Sequence, residues 1–95
     1  MIDGIVEKLS LIKANKINAH CKDFIKGSLL DVGAGRCYIA KTIKEKNKID
    51  VHCVDVQDKN KTDLKLTVYD GKKLPFKNNQ FGTVLLAYVL HVFKN

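Results

Sequence analysis

Three aspartates and a pair of glycines are the residues of this chain best suited to chemistry. The stretch "LLDVGAGRCYIA", Leu29 to Ala40, sets Asp31 two places ahead of Gly33 and four ahead of Gly35. Glycine lets the backbone turn sharply and approach a ligand closely, because it has no Cβ. A helix that begins after such a turn points unpaired N–H groups and a partial positive charge at the same spot. A nucleotide could rest there, although a plain strand-to-helix turn has the same appearance. Asp55 follows Gly35 by 20 residues, and Asp70 stands beside Gly71. A carboxylate accepts hydrogen bonds from neighbouring hydroxyls, which suits it to a ribose.

The dinucleotide spacing G-x-G-x-x-G places Tyr38 at its third position. A tyrosine there obstructs close packing of helix on strand, and Asp31 repels a pyrophosphate. An NAD-dependent oxidoreductase domain is therefore disfavoured, although Asp55 lies where a ribose-binding acid belongs in either case.

"LLDVGAGRCYIA" resembles the first motif of the class I S-adenosylmethionine-dependent methyltransferases, acid-x-Gly-x-Gly-x-Gly. Asp31, Gly33 and Gly35 match, and Cys37 takes the third glycine place. The acid suits a cofactor that carries an ammonium and a sulfonium. "VHCVDV" resembles the second motif of the family, which implies Asp55 on the ribose hydroxyls and Val56 on the adenine face. "YDGKKLPFKNNQFGTVLLAYVLHVF" resembles the ubiquinone-biosynthesis-like (methyltransferase type 11) subgroup. It implies that Asp70 accepts from the adenine amino group and that the Gly71 backbone meets the ring edge. Ala87, just past the fourth strand, completes the implied cofactor set of Asp31, Gly33, Gly35, Asp55, Val56, Asp70, Gly71 and Ala87. Gly82 stands where the family usually has Asp, and a glycine there is expected to weaken the start of the strand. The resemblance covers about Leu29 to Phe93.

The implied activity is methyl transfer from S-adenosyl-L-methionine to a small-molecule acceptor. This chain then supplies the cofactor-binding half. A catalytically inactive, methyltransferase-like binding or regulatory module is the alternative. No catalytic base is assigned: Tyr88 and His91 lie near the expected acceptor side, but packing is the simpler role for each.

These residues need a scaffold. The stretch "LSLIKANKINAHCKDFIKG", Leu9 to Gly27, repeats Ile12, Ile17, Cys21, Phe24 and Ile25 at roughly helical spacing, with Gly27 as a stop. "SLLDVG" predicts strand one, and "RCYIAKTIKEKNK" a helix with Ile39, Ala40 and Ile43 inward. "IDVHCVDV" predicts strand two, and "LKLTVYD" strand three. "LPFKNNQF" reads as a loop. "GTVLLAYVL" begins as strand four and turns helical near Tyr88. Alternating strands and helices predict an α/β fold, a Rossmann-like parallel sheet with flanking helices and right-handed crossovers. Ligands in such sheets sit outside the carboxyl ends of the strands, where Asp31 to Gly35, Asp55, Asp70 and Ala87 all fall.

One domain is expected over residues 1–95, with a leading helical segment at 1–27 and a cofactor-binding core at 28–95. The resemblance implies seven strands in the order 3-2-1-4-5-7-6, of which this chain supplies about four. Strand four is then an open edge, and self-association or a completing partner is expected.

The net charge of +7 does not by itself argue for nucleic acid, because Arg36 is the single arginine and the lysines are scattered. Cys21, Cys37 and Cys53 lie 16 residues apart with no Cys-x-x-Cys or Cys–His pair, so no metal site is expected. The N-terminus lacks the plan of a signal peptide, and "TVLLAYVLHVF" is too short to span a bilayer. A cytoplasmic location is the expectation.

Overall fold

The computed structural model describes residues 2–86. Helix α1 spans Ile2–Cys21 and runs into a short 3-10 turn at Lys22–Phe24. Strand β1 (Leu29–Val32), helix α2 (Tyr38–Asn47) and strand β2 (Val51–Asp55) follow, then β3 (Leu66–Val68) and β4 (Thr83–Leu85). The sheet order is β3-β2-β1-β4, and every pairing is parallel. The Rossmann-like α/β architecture is present, with four strands among the described residues. The expected helical turn near Tyr88, together with Ala87 and His91, lies outside them.

β1 sits at the centre, and all four of its residues are buried. Side chains alternate across a strand, so its two faces feed two different layers. Leu29 packs with Ala14, Ile39 and Ile43 under the helices. Leu30 and Val32 pack with Val54 on the opposite face, beside Tyr69, Leu74, Phe76 and Phe81. Part of that second layer comes from the loop between β3 and β4. Phe76 meets the His52 ring edge-on at 5.1 Å, and His52 Nε2 pairs with Thr67 Oγ1 at 2.7 Å. His52 is thereby a packed, hydrogen-bonded residue.

The inward face of this leading segment matches the expected one in part: Ile17, Cys21 and Ile25 pack against the core, but Ile12 and Phe24 do not. Ile12 and Phe24 are 46% and 76% exposed, whereas Ala14 and Asn18 are buried and Ile17 and Cys21 pack against the core. Ala14, Ile17, Asn18 and Cys21 stand at i, i+3, i+4 and i+7, one helical face. Asn47 Nδ2 donates to Asn18 Oδ1 at 2.7 Å, joining the two helices. A buried polar side chain needs such a partner, and this pair satisfies both. Phe24 falls in the 3-10 turn, out of phase with that face.

Gly82 also plays a part opposite to the one expected. A Cβ at this position would lie 2.0 Å from the Lys26 carbonyl oxygen. The Gly82 and Thr83 amides both donate to the Ser28 carbonyl at 3.0 Å. The Thr83 hydroxyl accepts from the Lys26 amide at 2.8 Å and donates to the Lys26 carbonyl at 2.9 Å. Glycine here permits the backbone contact that anchors β4 to the segment leading into β1.

Candidate functional site at the carboxyl ends of β1 and β2

The turn from β1 into α2 is built from left-handed backbone. Gly33, Gly35 and Cys37 have φ of 76°, 59° and 72°. Glycine adopts this region freely, whereas other residues incur a steric cost. Cys37 therefore occupies a conformation suited to the glycine it replaces, and it does so fully buried. Its thiol lies in the same small cluster as Cys53, Ala34 and Ala40. The hydrogen bond between the two thiols draws Cys37 below its ordinary range. The same bond, with burial, pushes Cys53 far up.

The amides of this turn are used within the protein. Gly33 and Ala34 both donate to the Val54 carbonyl, at 2.9 and 3.2 Å. Gly35 donates to Asp55 Oδ2 at 2.8 Å, and Cys37 to the Ala34 carbonyl at 3.0 Å. A phosphate cradle needs such N–H groups free to point at the ligand. This turn instead ties itself to the end of β2, an arrangement poorly suited to a pyrophosphate.

Asp55 is the joint between the two strands. Its second oxygen, Oδ1, accepts from the Val56 amide at 2.6 Å. A carboxylate has about four acceptor sites, so each oxygen keeps capacity for a ligand hydroxyl. A cavity of about 410 Å³ opens over this joint. Gly33, Gly35, Asp55 and Val56, four of the expected residues, line it together. Ser10 of α1 closes one side, and Arg36, Tyr38, Gln57 and Lys59 are among its other walls. The sequence carries no signal for Ser10, Gln57 or Lys59. Ser10 does sit one helical turn before Ala14, on the face that packs inward, and that phase becomes visible only once α1 is docked.

Asp31 lies beneath the cavity rather than in its lining. It is 1% exposed and stands opposite Cys53 in the strand register. Neither of its carboxylate oxygens has a hydrogen-bond partner among the described residues. Burial, then the nearby Asp55 charge, push its carboxyl up to about 7. Both effects disfavour the ionised form.

Gly71 and Val56 meet at the rim. Gly71 has φ of 84°, and a Cβ on it would stand 3.1 Å from Val56 Cγ1. Val56 is 51% exposed, an apolar face open beside the cavity. Asp70 is exposed and lies outside the lining. Its Oδ1 accepts from the Lys73 and Lys72 amides at 3.0 and 2.8 Å, and these bonds hold its carboxyl below the usual range. Asp58, a rival to Asp55, is turned to its own loop, accepting from the Asn60 amide at 3.1 Å. Among the described residues no group of three or more His, Cys, Asp or Glu could hold a metal ion, and no helix is long and apolar enough to cross a membrane.

A family model described as a methyltransferase domain matches residues 30–95. The chain belongs to the methyltransferase domain family. No curated protein and no solved structure matches it.

Proposed function

We propose that the cavity over the β1 and β2 ends is the S-adenosylmethionine site of this methyltransferase domain, and that the methyl acceptor is a small molecule. The observation that carries the reading is the joint between the glycine turn and Asp55, where Gly35 N–H meets Asp55 Oδ2 at 2.8 Å. That bond fixes the carboxylate at the mouth while leaving it acceptor capacity for two ribose hydroxyls. The turn presents few amides outward, which favours a nucleoside with a cationic tail over a dinucleotide. Asp31, buried and unpaired among the described residues, lies close to the same turn.

When bound, the cofactor supplies a methyl group on a sulfonium, a leaving group that needs no acid from the protein. The chain's own work is to bind and orient. Asp55 holds the ribose. Val56 offers an apolar surface to the base, and the Gly71 backbone lies close enough to meet its edge. Asp70 is assigned to the adenine amino group, and Ala87 stays in the proposed cofactor set on the family resemblance alone. Ser10 and Tyr38 help exclude water. Alignment of this kind accounts for much of the rate in a displacement whose leaving group is already good.

Two further parts belong to this reading. β4 is an edge strand among the described residues, with Val84 exposed within it and Leu86 exposed just after it. An uncovered apolar edge invites pairing, so self-association or a completing partner is expected there. Light scattering at high concentration tests it, and a clean monomer contradicts it. The three free thiols suit a reducing cytoplasmic compartment.

Calorimetric titration with S-adenosylmethionine, with NAD alongside, tests the cofactor. Binding of the first and not the second is expected. Preference for NAD, or undiminished S-adenosylmethionine affinity in Asp55→Ala, overturns the assignment.

A further inference from the structure

Asp31 is the group that the binding scheme leaves unexplained. A buried carboxyl with no partner on either oxygen is rare in native proteins, because the charged form loses its hydration and gains nothing in exchange. Its surroundings make ionisation harder still. From β2 it faces the Cys53 thiol and the Asp55 carboxylate. From the start of α2 it faces the Cys37 thiol, and from β4 it pairs in register with apolar Leu85. The cations of the cavity wall, Arg36 and Lys59, bond to neither oxygen. Every described titratable group that acts on Asp31 is therefore neutral or negative.

We infer that Asp31 holds a proton in the ligand-free protein near neutrality and releases it when a cationic ligand enters the cavity above. The inference rests on the reading that the ligand is S-adenosylmethionine, whose ammonium and sulfonium are the cations concerned. The balance is simple: the neutral carboxyl loses one proton to solvent, and the carboxylate left behind compensates the arriving charge through the floor. No covalent bond other than O–H breaks. A carboxyl displaced to about 7 has its transition in the physiological range, where small charge changes move it most. Site affinity then rises with pH up to neutrality and levels off above it, and the binding step becomes a sensor of acidification.

Two measurements on the full chain decide this. The first is calorimetric titration with S-adenosylmethionine between pH 5.5 and 8.5, in buffers of low and high ionisation enthalpy. Near pH 6 the apparent enthalpy should vary with the buffer as release of close to one proton requires. Affinity should rise roughly tenfold per pH unit below about 7 and flatten above it. Asp31→Asn should bind more weakly and lose both dependences. Binding of S-adenosylmethionine with no buffer dependence and no pH slope overturns the inference while leaving the cofactor reading intact. No binding at any pH overturns both, the cofactor reading first. The second measurement needs neither ligand nor variant: carbon-13 NMR titration of the Asp31 side-chain carboxyl. A midpoint near neutrality supports the inference, and one near 4 contradicts it.

Discussion

Two turns of this molecule use the same residue types to opposite ends. At the end of β1, Asp31 precedes Gly33 and Gly35; after β3, Asp70 precedes Gly71. Asp70 is exposed and satisfied by the amides of Lys72 and Lys73 in its own turn. Asp31 is buried, and neither of its oxygens is satisfied among the described residues. The difference lies in the strands that carry them. β1 is central and covered on both faces, whereas β3 is an edge strand whose last residue, Val68, is exposed. A turn aspartate on an edge closes its own loop. The same residue inside the central strand retains an electrostatic deficit that a ligand can relieve.

The largest effect expected from this contrast is in stability against pH. The folded-state carboxyl of Asp31 sits at about 7, above its unfolded value, so folding favours its protonated form. Its contribution is favourable below about pH 4 and is lost as pH rises toward 7, by on the order of 4 kcal/mol at most. Asp31→Asn should therefore melt higher than the parent above pH 7, with the gap closing toward pH 4. Asp70 has the opposite sign. Its lowered folded-state value favours the fold above the ordinary carboxylate range, and that contribution is lost on acidification. Urea titrations from about pH 2.5 to pH 8 on the two Asn variants compare them directly. Parallel pH profiles would erase the distinction between the turns.

Next in size is Asp55→Ala. It removes the acceptor of the Gly35 amide and the proposed ribose ligand together. A charge-assisted hydrogen bond is worth about 1.5–3 kcal/mol, so a loss of roughly 10- to 150-fold in S-adenosylmethionine affinity is expected.

Smaller effects separate the glycines. Gly35→Ala meets open space but needs a left-handed φ, which costs about 1–2 kcal/mol of stability. Gly71→Ala adds a tight contact with Val56 to a similar strain. It should therefore lower the melting temperature more than Gly35→Ala does and also perturb the rim of the cavity. Cys37→Gly works in the other direction: it relieves a left-handed φ and leaves a gap beside Cys53. Its net change should stay within about 1 kcal/mol, as thermal melts will show.

Much of this arrangement was legible in the sequence for physical reasons. Leu29, Leu30 and Val32 make a short, mostly apolar stretch that suits a covered strand, and the amphipathic run from Tyr38 suits a helix beside it. Once the connections are right-handed, the ends of β1 and β2 must adjoin, so Gly33, Gly35, Asp55 and Val56 had to converge. The phase of α1 was legible only in part, at Ile17 and Cys21. Its exposed apolar residues compete with small ones for the inward face, and the close approach of α2 decides for Ala14 and Asn18. The role of Gly82 was hidden because it depends on a carbonyl 56 positions earlier, at Lys26. The isolation of Asp31 was likewise invisible: an acid before a glycine turn looks the same whether or not its oxygens find partners.

The central claim is that the joint of Gly35 and Asp55 frames an S-adenosylmethionine site. Calorimetry on the parent chain and on Asp55→Ala, at pH 7.5 and with NAD as the competing ligand, tests it most directly. The account predicts saturable S-adenosylmethionine binding by the parent, weakened by an order of magnitude or more in the variant, and none of NAD. Equal affinity of parent and variant for S-adenosylmethionine, or preference of the parent for NAD, would contradict it.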